Sequence, residues 1–454
     1  MADVSLKKRI WGWYFFDWAS QPYHTVLLTF IFGPFFVSLA QDALLADGLG
    51  AEAAKAGAQT MWAKTLTITG LIIGFGAPFL GALADTSGNR LPWILAFSVM
   101  YVAGAGALWL TDPSGSNIGI MFMVFAIGFI GAEYALIFIN SQLPSLGTQE
   151  EIGQVSGSGF AFGYLGGVLS LFILLLLFVE QPTGKTLIGL DPLFGLFDAE
   201  AREGTRSTGP FVAIWFAVFM IPYFLWVREV RKPNAGASVG TALASLWATV
   251  KKLPMRKSLA VYLGSSMLYR DALNGLYSFG GTFAALIMGF SVVQVGVFGI
   301  VAALAAAVFS YLGGLADKRL GPKPVVIMSI WVLMGVCFAL INLRPDSFFG
   351  VATGTTVPTI VFYICGSLIG GMGGILQSAS RSLMVRHADP KAPTEAFGLY
   401  GLCGRATSFI APASIGAMTA ITGNAALGVS PLIALFLLGL ILLRWVHPSG
   451  ETFE

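Results

Sequence analysis

The amino-acid sequence predicts an all-α integral membrane protein with twelve transmembrane helices arranged as two pseudo-symmetric six-helix bundles. Three observations lead to this fold class. Apolar and aromatic residues make up 56% of the 454-residue chain and charged residues only 11%, and the mean hydropathy is +0.78, whereas about a quarter of a soluble domain is charged. Long apolar runs recur along the whole chain. Three short sequence patterns occur twice, in the same order.

The apolar runs define the twelve predicted helices. A run of about 20 residues crosses the roughly 30 Å of bilayer hydrocarbon, because a helix rises 1.5 Å per residue. Short polar breaks separate the runs, which are too long and too uniformly apolar for the alternating strands of a β-barrel. The twelve runs cover residues 11–40, 61–84, 91–110, 118–140, 154–178, 209–228, 259–288, 292–316, 324–343, 358–384, 395–421 and 430–446.

The distribution of basic residues predicts the orientation in the membrane. Of the 26 Lys and Arg residues, 18 fall on the side that holds both termini, 6 fall on the other side, and Arg270 and Arg405 lie inside spans. Both termini are therefore expected in the cytoplasm, since cytoplasmic loops carry the excess of basic residues. The net charge of +3 reflects this bias, and we expect no nucleic-acid partner.

The three repeated patterns predict two halves of related structure. "GALADTSGNRLPW" at 81–93 is matched by "GGLADKRLGPKP" at 313–324, and "FGYLGG" at 162–167 by "FGLYGLCG" at 397–404. The third pair, "YFFDWASQPY" from Tyr14 and "YRDALNGLY" from Tyr269, places Asp17 opposite Asp271. Internal repeats of this kind are typical of transporters.

The repeats give the expected domain boundaries. The predicted divisions are a first bundle over residues 1–228, a cytoplasmic linker over 229–258 and a second bundle over 259–454. The first external loop, over 41–60, is expected to be longer than its counterpart near 289–291.

The first repeated pattern resembles the signature of the major facilitator superfamily, which has the form G-x-L-A-D-x-x-G. Gly81, Leu83, Ala84, Asp85 and Gly88 fit it. More narrowly, the chain is similar to the vacuole-effluxer-like branch, which includes a fungal autophagy-linked amino-acid effluxer and bacterial relatives. The segments that carry this similarity are "FDWASQPY", "NSQLPSLGTQEEIGQVSGSGFAFGYLGG" and "EAFGLYGLCGRATSFIAP".

The resemblance implies a secondary transporter that works by alternating access in the cytoplasmic membrane. It implies a monomer that needs no cofactor, binds a small-molecule substrate and lies among membrane lipid. The first, fourth, seventh and tenth helices of the superfamily line the central cavity, so the resemblance places Asp17, Glu133 and the pair Arg270 and Asp271 on cavity helices.

Charged residues inside apolar runs are the main candidates for function. A charge at the bilayer centre costs about 2.5–3.5 kcal/mol on insertion scales, so it needs a partner, water or a role. We expect Asp17 and Glu133 to share one layer about 10 Å inside the membrane, by the rise of 1.5 Å per residue. The candidate substrate-binding or coupling residues are Asp17, Ser20, Gln21, His24, Glu133, Asn140, Arg270, Asp271, Asn274, Gln377 and Arg405.

The hypothesis for these residues is proton-coupled binding of a carboxylate. Glu133 or Asp17 would carry the coupling proton, because burial and nearby Arg residues act on a carboxylate in opposite directions. Arg405, Arg270 or both would attract a carboxylate of the substrate. A purely structural role is the competing hypothesis. Asp271 or Glu133 would then neutralise an Arg, Asp17 would clasp two helices, and His24 would be a packing residue rather than a proton relay.

A second group of residues is predicted to hold the cytoplasmic ends of the two halves together. Loop capping is the competing role for its two Asp residues. Glycine clusters at 157–167 and 370–374 are expected to permit close helix approach. The predicted gating residues are Gly81, Asp85, Gly88, Arg90, Asp317 and Arg381.

The sequence therefore predicts a proton-coupled secondary transporter of a small polar solute, with an amino acid or short peptide and export favoured, and with sodium as the second candidate for the coupling ion. Uptake of an organic anion or drug-like compound, or a membrane sensor without net flux, would also be consistent with the sequence. An enzyme is not expected, because no cluster of nucleophile and base is found. No catalytic residue and no metal site are predicted, and the three cysteines lie in separate apolar runs without metal spacing.

Overall fold

The computed structural model describes residues 4–181, 183–227, 239–290, 292–424 and 426–450. It contains twelve helical membrane segments, named α1 to α12, and a linker helix, Val239–Lys252. Of the segments in the described ranges, nine are helices long and apolar enough to cross a membrane. The segments are α1 (Leu6–Pro22, Tyr23–Phe30 and Phe32–Ala46), α2 (Ala51–Ser87), α3 (Leu91–Ala107), α4 (Ile118–Asn140), α5 (Ile152–Leu177), α6 (Thr208–Phe219 and Ile221–Trp226), α7 (Lys257–Leu286), α8 (Val292–Leu320), α9 (Pro322–Ile341), α10 (Thr356–His387), α11 (Pro393–Ala406 and Ile410–Thr422) and α12 (Ser430–Leu443).

Short elements lie in the connections between these segments. Residues 229–238 of the predicted linker 229–258 lie outside the described residues. The linker helix, Val239–Lys252, occupies most of the remainder. A two-stranded antiparallel hairpin follows α9, with β1 at Ser347–Phe348 and β2 at Val351–Ala352. The short helices are Leu108–Leu110, Leu143–Ser145, Pro192–Gly195, Glu203–Arg206 and Leu427–Val429.

The first external loop is much shorter than predicted. Residues 41–60 were expected to form a loop, but α1 continues to Ala46 and α2 begins at Ala51. The stretch is rich in alanine, which has the highest helix propensity. Gly48, with φ of +90°, turns the chain between the two helices. The extra residues of the first half therefore lengthen two helices rather than a loop.

Segment α1 changes its helical winding at Pro22. This residue has no backbone N–H to donate, and a π-helix, Tyr23–Phe30, follows it directly. The widened turn is closed by a bond from Ile31 N to Val26 O of 2.9 Å, five residues apart. Tyr23 is fully buried and donates its hydroxyl to Phe125 O on α4 at 2.8 Å. Such π-helical turns occur frequently at functional sites.

Segment α11 is broken, although the sequence predicted one run over 395–421. The first part ends at Ala406 and the second begins at Ile410. Pro412 explains the break, because it cannot donate to the carbonyl of Ser408 and its ring would clash with that carbonyl in a continuous helix. Residues 407–409 therefore leave the helix and expose the N–H groups of the second part.

The described chain divides into two compact units. The first comprises Met1–Gly76, Asn89–Ile139 and Phe162–Lys232, and the second comprises Ala77–Gly88, Asn140–Ala161 and Pro233–Glu454. Aromatic stacking marks the core of the first unit: the rings of Tyr101 and Phe216 lie 3.9 Å apart. In the second unit glycines bring α10 onto α8, since a Cβ on Gly370 would collide with the backbone of Ala302.

Two glycine contacts in the second unit define the register of the repeat. A Cβ on Gly157 of α5 would lie 2.6 Å from Gly314 Cα on α8. A Cβ on Gly398 of α11 would lie 2.6 Å from Ala77 O on α2. Gly157 and Gly398 thus hold corresponding places in the two repeats.

A second pair of glycines agrees with this register. A Cβ on Gly163 of α5 would lie 3.1 Å from Asp17 O on α1, and a Cβ on Gly404 of α11 would lie 2.5 Å from the guanidinium of Arg270 on α7. The contacts therefore pair Gly163 with Gly404. The alignment of "FGYLGG" with "FGLYGLCG" pairs Gly163 with Gly398, six residues earlier. Both motifs place glycines where helices touch, but a short motif cannot show which turn makes the contact.

Candidate functional site

The structure divides the sequence-predicted site residues among three clusters. The first-unit cluster contains Asp17, Ser20, Gln21, His24 and Glu133. The α11-break cluster contains Arg270, Asp271, Asn274, Gln377 and Arg405. The Arg381 cluster contains Gly81, Asp85, Asn140, Asp317 and Arg381. The last two clusters belong to the second unit.

His24 and Glu133 form the ionisable pair of the first-unit cluster. His24 Nε2 lies 3.0 Å from Glu133 Oε1, and the side chains are 30% and 10% exposed. His24 stands in the π-helical turn of α1, and its ring meets the ring of Phe129 edge to face at 5.8 Å. The sequence selected both residues, but only the structure joins them. A hydrogen-bonded His and Glu with little water around them can share or exchange a proton.

Asp17, Ser20 and Gln21 lie nearer the start of α1. Asp17 and Ser20 are both 7% exposed, and Ser20 Oγ donates to Asp17 O at 3.5 Å. The backbone of Asp17 lies against Gly163 and the side chain of Gln21 against Gly167, both on α5. Asp17 precedes His24 by two helical turns, about 10 Å along the helix axis. His24, two turns further along α1, meets Glu133.

Arg270 anchors the α11-break cluster. Its Nη1 donates to Tyr400 O at 3.0 Å, and its Cζ lies 4.2 Å from the centre of the Tyr400 ring. The flat guanidinium rests on Gly404, where a Cβ would come within 2.5 Å of it. Tyr400 was not among the predicted site residues. Its position one turn before Gly404 in "FGLYGLCG" is the signal that could have indicated it.

Asp271 contacts the other side of the break. Its Oδ2 accepts a hydrogen bond from Ala411 N at 3.0 Å, in the first turn of the second part of α11. Asp271 is 3% exposed, and among the described residues its Oδ1 has no hydrogen-bond partner. Asp271 therefore caps a helix, whereas its neighbour Arg270 holds the preceding part of α11.

Polar side chains continue along α7 and α10 from Arg270. Asn274 is exposed and lies one turn after Arg270. Tyr277, one further turn along and 41% exposed, receives a hydrogen bond on its hydroxyl from Gln377 Nε2 at 3.4 Å. Arg405 is half-buried in the last turn before the break. Tyr277 was missed by the sequence analysis, although it follows Asn274 at helical spacing.

Arg381 is the central hydrogen-bond donor of the third cluster. Arg381 is 2% exposed and donates to Ser156 Oγ at 3.0 Å, to Ser156 O at 2.8 Å and to Asn140 Oδ1 at 2.9 Å. Its Cζ lies 4.3 Å from the centre of the Phe160 ring. The planar guanidinium thus joins α10 to the end of α4 and the start of α5. Asn140, predicted as a substrate or coupling residue, lies in this cluster.

Asp85 contributes a helix cap to the same cluster. It accepts from Thr394 Oγ1 at 2.7 Å and from Glu395 N at 2.9 Å, in the first turn of α11. An acid in this position compensates the exposed N–H groups and the positive end of the helix dipole. Gly81 permits the approach, because a Cβ there would lie 2.6 Å from Thr394 O. Asp85 therefore caps the start of α11, a helix from the other half of the sequence.

Asp317, the repeat partner of Asp85, lies at the first turn of α5. A Cβ on Gly153 would collide with its carboxylate, and Asp317 is 2% exposed. The neighbouring Lys318 donates to Gln154 Oε1 at 3.0 Å. Glu151, just before α5, accepts from Thr148 N at 3.0 Å, and this bond lowers the pKa of Glu151. The two Asp residues of the repeated motif thus meet equivalent helix starts.

The remaining predicted gating residues form the turn between α2 and α3. Gly88 has φ of +69° and donates its N–H to Asp85 O at 3.4 Å. Glycine adopts this left-handed conformation without the cost that a side chain would add. Arg90 immediately precedes α3, and its carbonyl accepts from Ile94 N at 3.0 Å. Gly88 thus turns the chain directly after α2, three residues beyond Asp85, and Arg90 occupies the N-cap position at the start of α3.

Substituting Gly404 with alanine tests the contact between Gly404 and the guanidinium of Arg270. The added Cβ would displace the guanidinium from Tyr400 O, so we expect weaker solute binding with little loss of folding, since the displaced atoms end a flexible side chain. The measurement is solute affinity by thermal shift together with the melting temperature. Gly416→Ala in the second part of α11, where nothing lies within 4 Å of the new Cβ, is the matched control. Equal affinity in the two variants would contradict the assignment.

Comparison with known proteins gives these clusters a family context. The family model described as "Vacuole effluxer Atg22 like" matches residues 5–450. The uncharacterized MFS-type transporter YxiO of Bacillus subtilis (strain 168) is 24% identical over 447 residues, which cover 97% of this chain and 95% of YxiO.

The chain is also similar to an autophagy-related protein and to a solved transporter structure. Autophagy-related protein 22-2 of Emericella nidulans is 26% identical over 303 residues, which cover 60% of this chain and 47% of that protein, so the match spans about half of the fungal relative. Among solved structures, the proton:xylose symporter XylE superposes with a TM-score of 0.74 at 11% sequence identity, covering 98% of this chain and 96% of XylE. The superposition on XylE shows that the two chains share a fold.

The match to the family model along nearly the whole chain, the similarity to an MFS-type transporter and the twelve-segment fold agree with one another. The chain belongs to the Atg22-like vacuole effluxer family of the major facilitator superfamily, and is therefore a multi-pass secondary transporter and not an enzyme.

Proposed function

We propose that this transporter couples the movement of protons to the movement of a small polar solute, favoured as an amino acid or short peptide, and that it exports this solute. The observation that carries the proposal is the part-buried pair of His24 and Glu133, whose side-chain atoms lie 3.0 Å apart. Uptake of one proton neutralises the pair, and its release leaves a carboxylate charge on Glu133 that stays within hydrogen-bond distance of His24, which is less costly than an isolated charge in apolar surroundings. The name of the similar fold, the proton:xylose symporter, supports proton coupling.

The α11-break cluster is the proposed site for the solute. Arg270 and Arg405 supply positive charge for a carboxylate, and an Arg guanidinium binds a carboxylate through two parallel hydrogen bonds. Asn274, Tyr277 and Gln377 supply neutral donors and acceptors on the same stretch of α7 and α10. A solute with a carboxylate and a further polar group, such as an amino acid, fits these residue types. The family description "vacuole effluxer" supports export.

The Arg381 cluster is the proposed gate. It joins the end of α2, the link from α4 to α5, and segments α10 and α11 through buried and part-buried hydrogen bonds. Asp317 of α8 packs against Gly153 at the start of α5. In the proposed domain division, 1–228 and 259–454 with a linker between them, these bonds cross from one sequence half to the other. The excess of basic residues supports a cytoplasmic position for this gate and for both termini, in the cytoplasmic membrane.

Replacing Glu133 with glutamine is the test of proton coupling. We expect Glu133→Gln to abolish accumulation driven by a pH gradient, while exchange of labelled for unlabelled solute continues, because the amide cannot take up a proton. Asp17→Asn is expected to reduce the pH dependence if Asp17 shares the proton. The measurement is solute flux in proteoliposomes over a panel of amino acids, peptides, sugars and organic anions, with proton and sodium gradients.

Glu200→Gln, an exposed position in the loop between α5 and α6, is the matched control and should keep the accumulation of the unchanged protein. Full pH-driven accumulation in both Glu133→Gln and Asp17→Asn would refute the proton assignment. Accumulation only with a sodium gradient would show that the coupling ion is sodium and not the proton. No flux for any solute would favour a sensor on this fold, and flux of organic anions alone would change the solute class.

A further inference from the structure

We propose that Asp271 is a second proton-binding site and that its protonation controls the break in α11. This inference rests on the proposed function, because it assigns a role to a carboxylate beside the solute site of a proton-coupled carrier. It starts from the hydrogen bonds of Asp271, which leave one carboxylate oxygen without a partner among the described residues.

The buried carboxylates of this chain differ sharply in how they are satisfied. Glu180, 5% exposed, pairs with Arg202 Nε at 3.0 Å and accepts from Thr205 N at 3.0 Å. Asp271 is equally buried, yet it accepts one backbone bond, and among the described residues no Lys, Arg or His lies within ion-pair distance of it. A buried charge with so few partners is costly. Asp271 is thus suited to bind and release a proton, whereas Glu180 is a structural acid.

Few titratable groups lie on the elements that pack around Asp271. The titratable groups near it are Arg270 and Tyr269 on α7, and Tyr400, Cys403 and Arg405 on α11. Arg270 is directed to Tyr400 O. The stretch 366–378 of α10, residues 292–310 of α8 and all of α12 carry no titratable side chain. The proton on Asp271 therefore responds mainly to its own burial and to the helix end that it caps.

The helix end explains how protonation would act on the fold. The second part of α11 begins with a free helix end, because Pro412 prevents a continuous helix, and the N–H of Ala411 in its first turn is bonded by Asp271. A charged Asp271 stabilises this positive helix end through its bond to Ala411 N. Proton uptake from the aqueous side converts the carboxylate to a carboxylic acid, which removes the negative charge and weakens the cap. The second part of α11 is then free to shift relative to α7.

The adjacent Arg270 gives the same break a second control. Its guanidinium holds Tyr400 O in the first part of α11 and rests on Gly404. A solute carboxylate that binds Arg270 competes with this carbonyl. Two neighbouring residues of α7 thus hold the two parts of α11, one responding to an anion and the other to a proton. This arrangement couples both ligands to one hinge.

The test uses the full-length protein with Asp271→Asn, which keeps an oxygen to accept from Ala411 N but cannot ionise. The probe is the proton. Infrared difference spectra between acid and neutral pH should show a protonated carboxyl signal, one part of which is lost in Asp271→Asn and a different part in Glu133→Gln. In proteoliposomes Asp271→Asn should lose pH-driven accumulation.

A second measurement reports the break itself. Phe409 lies in the break and is 67% exposed, so Phe409→Cys, with Cys403 replaced by Ser, can be labelled with a thiol reagent. Thiol labelling itself depends on pH, because the thiolate is the reactive form. The labelling rate of Ile421→Cys, at an exposed position, measures this effect. After division by that rate, the labelling of Phe409→Cys should still change with pH when Asp271 is present. It should not change with pH in Asp271→Asn.

The outcomes separate this inference from the proposed function. If Asp271→Asn loses no part of the carboxyl signal, or keeps the pH-dependent labelling, Asp271 is not the site, even if Glu133→Gln abolishes accumulation. If the unchanged protein shows no flux for any solute, the transport proposal fails, but the infrared signal still decides whether Asp271 binds a proton. Asp271→Ala, which also removes the cap, distinguishes loss of charge from loss of the hydrogen bond.

Discussion

Replacing Arg381 with alanine is expected to destabilise the Arg381 cluster by about 3 kcal/mol or more, because it leaves buried polar groups without their charged donor. Ser156 and Asn140 would each lose a bond to the guanidinium, and the packing over the Phe160 ring would be lost. We expect a lower melting temperature in detergent and a gate that opens without solute.

Gate opening can be measured at a nearby buried position. Ser382 on α10 is 1% exposed, so Ser382→Cys should resist a thiol reagent in the unchanged protein and react readily when combined with Arg381→Ala. Arg381→Lys should fall between, because lysine keeps the charge but not the planar fork of donors. Arg319→Ala, an exposed position on α8, is the control. Labelling and melting of Arg381→Ala that equal those of the control would refute the role of this cluster.

Substituting Gly157 with alanine is expected to have the second-largest effect. Its Cβ would lie 2.5 Å from Ser310 O and 2.6 Å from Gly314 Cα. Both are backbone atoms that cannot rotate away, so α5 must move from α8. Overpacking of this kind costs about 1–3 kcal/mol. Since Ser156 precedes Gly157, the shift would also stretch the bonds to Arg381.

The comparison variant for Gly157→Ala is Gly70→Ala on α2, where nothing lies within 4 Å of an added Cβ. Alanine favours helix over glycine by roughly 0.5–1 kcal/mol, so Gly70→Ala should melt at the same or a higher temperature. Gly157→Ala should have a lower melting temperature. When it is combined with Ser382→Cys, the introduced cysteine should react faster with the thiol reagent. A melting temperature of Gly157→Ala at or above that of Gly70→Ala would show that the α5–α8 contact is looser than the structure indicates.

Much of the fold followed from local sequence properties. The twelve spans agree with the helices of the structure because membrane crossing depends on the length and polarity of a segment, which are local quantities. The extension of α1 and α2 into 41–60 was missed, since the span prediction rested on hydropathy and not on the helix propensity of alanine. The break in α11 was missed although Pro412 lies within the predicted run.

The candidate site was anticipated by residue type more than by arrangement. A charge inside an apolar run is visible in the sequence, so Glu133, Arg270, Asp271 and Arg381 were all selected. Which residue pairs with which was not visible, because the partners come from helices distant in the chain, even where a partner such as His24 or Asn140 was itself selected. Nothing in the sequence shows that Arg381 donates to Ser156, or that Asp85 caps α11.

The sequence by itself determined the class of protein, the number of spans, the duplicated design and the family, because composition, hydropathy and short motifs are properties of segments. The tertiary structure alone decided that His24 meets Glu133, that Arg270 and Asp271 hold opposite sides of the break in α11, and that the two repeats match six residues away from the motif alignment. Those facts depend on which helical turns touch. Contacts between helices depend on shape and depth, and a single residue of rotation changes them.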